Sequence, residues 1–127
     1  MLRDMCKGKI HRATVTAAEP GYEGSITIDR RLMEAAGLLA HERVQVLNHS
    51  NGERFETYLI EGEPDSGVIC LNGPAARRGQ VGDLVTVIGY VWVEDAEARS
   101  WQPTVVRVDA ENRTTEITSV GAGDIDR

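Results

Sequence analysis

The sequence predicts a mainly β fold with one principal helix, on three observations. Short segments in which β-branched and other apolar residues alternate with polar ones recur along the chain, as half-buried strands require. Turn signals separate these segments, foremost Asn51-Gly52, the dipeptide of a tight hairpin. Only one stretch, Arg30 to Ala36, has both a capping residue before it and a glycine stop after it.

The elements follow in order. Lys7 to Thr16 alternates small or β-branched residues with polar ones and reads as a strand with Lys9 and His11 on one face. Glu19-Pro20-Gly21 breaks that pattern, so the segment through Gly24 is expected to be a surface loop. Alternation resumes at Ser25-Ile26-Thr27-Ile28, which makes Ser25 the first residue of a strand. Asp29 is suited to cap the helix over Arg30 to Ala36, and Gly37 sits where a left-handed C-terminal cap is wanted.

Strands over Glu42 to Asn48 and Arg54 to Ile60 flank His49-Ser50-Asn51-Gly52 and are expected to pair antiparallel. A polar loop, Gly62 to Gly67, leads to a short buried strand over Val68 to Leu71. The turn Asn72-Gly73-Pro74 then introduces a brief Ala75-Ala76-Arg77-Arg78 segment. Leu84 to Val93 is the longest strand expected, Glu94 to Arg99 a helical turn, and Thr104 to Asp109 the last strand. Leu39 to Val46 echoes Gln80 to Val87, each an acid followed by alternating valines, which would suit a pseudo-symmetric barrel. From Ala110 to Arg127 apolar residues are too sparse to offset the entropy of ordering, so a mobile tail is expected.

Composition bounds the function. The 127 residues suit one domain with one core, and no apolar run approaches the ~18 residues of a membrane helix. The first residues carry charges every few positions, unlike a secretory signal or transit peptide, so the cytoplasm is the expected compartment and no membrane partner is expected. A net charge of -6, with basic residues scattered, argues against nucleic acid as a partner. Cys6 and Cys70 match neither a disulfide framework nor a metal spacing, and His11, His41 and His49 lie far apart, so no metal is expected.

Tyr22-Glu23-Gly24-Ser25 carries the one distinctive chemistry. A serine hydroxyl can attack the carbonyl before it to give an ester; β-elimination then leaves dehydroalanine, and hydrolysis leaves a pyruvoyl group, an electrophile at a new N-terminus. On its own a Gly-Ser pair marks no more than an ordinary strand-entering turn. Here it stands with Lys9-Ile10-His11-Arg12, Gly52-Glu53-Arg54-Phe55-Glu56-Thr57-Tyr58, Leu71-Asn72-Gly73-Pro74-Ala75-Ala76 and Glu97-Ala98-Arg99-Ser100-Trp101-Gln102-Pro103. In order and spacing these stretches resemble the pyruvoyl-dependent aspartate 1-decarboxylases over residues 1 to 109.

The resemblance implies a six-stranded double-psi β-barrel over 1 to 109, self-cleaved between 24 and 25 into chains 1–24 and 25–127, with 110–127 as the tail. It implies a carboxy-lyase that converts L-aspartate to β-alanine and carbon dioxide through a Schiff base to the pyruvoyl derived from Ser25, feeding pantothenate synthesis. No pyridoxal phosphate and no metal would be needed. In processing, Gly24 and Ser25 would supply the scissile bond, Thr57 the oxyanion donor, and Asn72 an amide beside the loop. Tyr58 would protonate the carbanion equivalent. Lys9, Arg54 and Thr57 would bind substrate, with backbone groups of Gly73, Pro74 and Ala75 closing the pocket between subunits of a homotetramer. Pro74 departs from the family, which commonly has a small residue with a free N–H at this position. The alternative is an uncleaved, noncatalytic barrel that binds a small acidic ligand or a partner.

Overall fold

The computed structural model of the chain describes residues 1–119. Nine strands join in one sheet, ordered β2-β6-β3-β5-β4-β7-β1-β8-β9. They are β1 (Leu2–Thr14), β2 (Ala17–Glu19), β3 (Ser25–Asp29), β4 (Arg43–Asn48), β5 (Arg54–Gly62), β6 (Ile69–Asn72), β7 (Leu84–Glu94), β8 (Thr104–Val108) and β9 (Thr114–Ser119). Two helices interrupt them: α1 (Arg30–Ala36) and the single turn α2 (Asp95–Ala98).

β1 and β2 are one ribbon with a two-residue break, and that break closes the sheet on itself. Val15 exchanges hydrogen bonds with the turn just before β7, its N–H donating to Asp83 O and its carbonyl accepting from Gly82 N, both 2.9 Å, while Thr16 N donates to Ile69 O of β6 at 2.8 Å. The ring therefore runs β1/β2, β6, β3, β5, β4, β7 and back to β1, the six-stranded barrel expected, with β8 and β9 added outside β1. β2 runs parallel to β6 and β3 parallel to β5; the other neighbours in the ring are antiparallel. The sequence echo has a structural counterpart. His41 N donates to Leu59 O and Leu59 N to Glu42 O, the same exchange that Gly82 and Asp83 make with Val15.

Alternation fills the ring. Ile10, Ile26, Ile28, Val44, Val46, Leu59, Ile69, Leu71, Val85 and Val87 point inward and are at most 1 % exposed, the arrangement of a small closed barrel. Leu32, Met33 and Ala36 of α1 join the same core. Helix α1 has the ends its sequence specifies: Asp29 accepts a hydrogen bond from Arg31 N, and Gly37, at φ 73°, donates back to Glu34 O. The hairpin between β4 and β5 is antiparallel, with Gly52 at φ 79°.

One expectation needs correction. The stretch read as a mobile tail contains β9, whose Thr114–Ser119 pairs with β8 through main-chain bonds that need few apolar side chains. Asn112, only 2 % exposed, fastens the preceding turn by donating to Thr14 O and Gly67 O, and its Oδ1 accepts from Thr14 N. The remainder of that stretch, 120–127, lies outside the described residues. No described helix is long and apolar enough to cross a membrane.

Candidate active site

The loop before β3 and the turn after β6 meet because β3 and β6 pair antiparallel with Ser25 opposite Asn72 and Thr27 opposite Cys70. Ile26, Ile28, Ile69 and Leu71 take the core face, so Ser25, Thr27, Cys70 and Asn72 share the other. There the Asn72 side chain donates from Nδ2 to Ser25 Oγ at 3.0 Å and to Thr27 Oγ1 at 2.9 Å, and its Oδ1 accepts from Cys70 Sγ at 3.2 Å. Ser25 Oγ in turn donates to Glu23 O at 3.3 Å. Ser25 and Asn72 are each 4 % exposed, so the hydroxyl is held by protein groups rather than by bulk water.

Gly73 makes that approach possible. At φ 62° it is left-handed, and a β-carbon placed there would stand 2.5 Å from Tyr22 O and 2.7 Å from Gly24 N. The Asn72-Gly73 turn thus lies backbone to backbone against the Tyr22-Glu23-Gly24 loop. Pro74 opens the 3-10 helix Gly73–Arg77, where a backbone N–H has no intrahelical partner in any case, and its ring comes close to Gly24.

A second strand brings the remaining chemistry. β5 pairs with β4 over Arg54 to Tyr58 but with β3 only from Leu59 onward, which leaves one edge of its first half unladdered. The β3–β5 ladder begins at Ile26 and Leu59, so Gly24 and Ser25 lie just before it on one strand and Thr57 and Tyr58 just before it on the other. A groove of about 410 Å³ occupies this edge, lined by Gly24, Phe55, Glu56, Thr57, Tyr58, Pro74, Ala75 and Arg78. Thr57 and Tyr58 are both half-buried. Phe55, Glu56 and Arg78 are the lining residues that sequence reasoning gave no role; Arg78 forms an ion pair with Glu53 at 2.6 Å.

Lys9 and Arg54 lie elsewhere. Ile10 is in the core, so Lys9 and His11 point out of the β1–β7–β8 face, and Lys9 is nevertheless 6 % exposed. Arg54 is exposed at the start of β5. One chain therefore gathers Gly24, Ser25, Thr57, Tyr58, Asn72, Gly73, Pro74 and Ala75 but leaves Lys9 and Arg54 outside the groove lining.

The outer face around Lys9 is crowded with positive charge. His11 is held down to about 4 by burial first, then by the charges of Lys9, Arg107, His49 and Arg12. Its Nδ1 is buried with no hydrogen-bond partner, the one such side-chain atom among the described residues. The His49 ring meets the His11 ring edge-on at 6.1 Å and contacts Thr86 Oγ1 through Nε2 at 2.6 Å. No cluster of His, Cys, Asp or Glu among the described residues could hold a metal ion.

Comparison with known proteins points the same way as this geometry. The family model for aspartate decarboxylase matches residues 1–115. An aspartate 1-decarboxylase of Lactiplantibacillus plantarum is 59% identical over 116 residues, covering 91% of this chain and 89% of that protein. One from Syntrophus aciditrophicus is 58% identical over 113 residues, 89% and 97% of the two chains. One from Cytophaga hutchinsonii is 56% identical over 110 residues, 87% and 96%.

Proposed function

The chain belongs to the aspartate decarboxylase family, and from that premise we propose that it cuts its own Gly24–Ser25 bond to make the electrophile with which it turns L-aspartate into β-alanine and carbon dioxide. One observation carries the reading: the Ser25 hydroxyl, buried at the foot of an exposed loop, is held by the Asn72 amide while Gly73 lies against that loop's backbone. A solvated serine in a strand-entering turn would need neither. The groove along β5 gives the product of such a cut a place to meet substrate.

In maturation, Ser25 Oγ attacks the Gly24 carbonyl carbon, the peptide C–N bond breaks, and an ester replaces it. Thr57, which lines the same groove as Gly24, is the candidate donor to the oxyanion; losing one such donor typically costs about 3 kcal/mol. Once made, a pyruvoyl carbonyl at residue 25 binds the substrate amine covalently and accepts the electrons released with the α-carboxylate. Tyr58, which lines the same groove as Gly24, delivers the proton to carbon.

Aspartate's carboxylates need cationic partners, and Arg54 and Lys9 are the candidates. Their position off the groove suits a site shared between protomers of the homotetramer that the family resemblance implies. The β-alanine formed would supply pantothenate synthesis.

Ser25→Ala tests the reading. It yields a folded, uncut chain that forms no β-alanine; decarboxylation by that variant would remove Ser25 from the mechanism.

A further inference from the structure

An amide side chain has two ends, and hydroxyl partners do not distinguish them, because a hydroxyl both donates and accepts. Asn72 faces two hydroxyls: Thr27 Oγ1 leaves the orientation open, whereas Ser25 Oγ, whose proton goes to Glu23 O, can only accept and so favours Nδ2. A third contact engages the opposite end of the amide. Cys70 Sγ donates to Asn72 Oδ1 at 3.2 Å, and with the oxygen engaged there both hydroxyls receive Nδ2.

We propose that Cys70 is a positioning residue for self-cleavage: its thiol locks the Asn72 amide so that Nδ2, rather than Oδ1, is presented to Ser25. This rests on the reading that the Gly24–Ser25 bond is cut. Cys70 and Asn72 alternate with the core residues Ile69 and Leu71 on β6, and Thr27 is the cross-strand partner of Cys70 just as Ser25 is of Asn72. The four side chains thus form two adjacent pairs on one ladder, with Cys70 at the end away from the scissile bond. Cys70 is 7 % exposed. Burial, and next the nearby Glu19, push its pKa up, so the sulfur keeps the proton it donates. The thiol takes no part in bond making or breaking. Were the amide reversed, Oδ1 would accept from the Ser25 hydroxyl, and the bond from Ser25 Oγ to Glu23 O would be lost.

The test compares Cys70→Ala and Cys70→Ser with the parent chain. Freshly purified protein is followed by intact mass for the rate at which the 1–24 fragment appears. Cys70→Ala matures about fivefold more slowly, the factor expected for one neutral hydrogen bond, while Cys70→Ser, which keeps a donor, stays within about twofold of the parent. Maturation of Cys70→Ala at the parent rate, or equal slowing in both variants, overturns the proposal.

A second arm does not depend on cutting. In the Ser25→Ala background, where every chain is whole, side-chain amide NMR of Asn72 shows contacts from the Nδ2 protons to Thr27. These persist with Cys70→Ser and are lost or averaged with Cys70→Ala; an unchanged amide in Cys70→Ala refutes the positioning role. A parent chain that never cuts would remove the self-cleavage reading and leave this second arm to decide the role of Cys70.

Discussion

Arg54 and Thr57, three residues apart on β5, face opposite ways: Arg54 is exposed, whereas Thr57 lies on the side of Phe55, which packs against the core. On the proposed roles, the cation that would grip substrate and the donor that would meet the oxyanion thereby face opposite ways on one protomer. If the site is completed by a neighbouring subunit, two inactive chains can repair one another. Co-expressed Arg54→Ala and Ser25→Ala chains would recover roughly a quarter of wild-type turnover, because random mixing pairs a cut chain with an intact arginine at that frequency. Activity no higher than the two separate variants would place Arg54 and the cut terminus of one site on the same chain.

In the proposed mechanism Tyr58 separates maturation from turnover. Its hydroxyl has no task in attack by Ser25, so Tyr58→Phe yields the two fragments at the parent rate. A lost general acid lowers kcat by about a hundredfold or more. Near-normal kcat in the cut variant would assign the proton to another group.

His11 gives the protein an acid sensitivity with a defined sign. Burial and the surrounding cations depress its folded pKa to about 4 from 6.5, so between those values the unfolded chain binds the proton and the folded chain does not. Stability from this group is therefore present above pH 6.5 and falls as pH drops towards 4. His49 is shifted in the same direction, by burial and then by Arg12 and Lys9. Melting temperatures of wild type and His11→Gln, measured in steps from pH 7 to pH 4, should show the wild type losing ground to the variant with acidification. A constant difference would mean that His11 does not charge on unfolding in this range.

Much of the barrel was legible because local and tertiary preferences agree. Helix α1 has both caps in its sequence, and the β4–β5 turn has Asn51-Gly52. The central strands alternate because one face meets the core, as Val85 and Val87 do around Thr86. Where pairing rests on the backbone alone the signal fades. β9 carries few apolar residues, and the first residues of β1, Leu2 to Cys6, are ordered by their ladder with β7 rather than by their own pattern. The six-strand closure at Val15 and Thr16 has no local signature, since it depends on where Asp83 and Ile69 lie.

For the site, the motifs named Gly24, Ser25, Thr57, Tyr58, Asn72 and Gly73, and the fold brings them together. Their spacing did not reveal that Cys70 contacts Asn72, since a buried thiol on a strand reads as packing. Nor did it reveal Arg78 in the groove, because nothing near it repeats or alternates.

Intact-mass analysis of freshly purified wild-type protein, with and without a hydrazine, tests the central claim most directly. Two fragments, residues 1–24 and a 25–127 chain that gains the mass of one hydrazone, are the predicted result. A single unbroken chain that takes up no carbonyl reagent after prolonged incubation would contradict it.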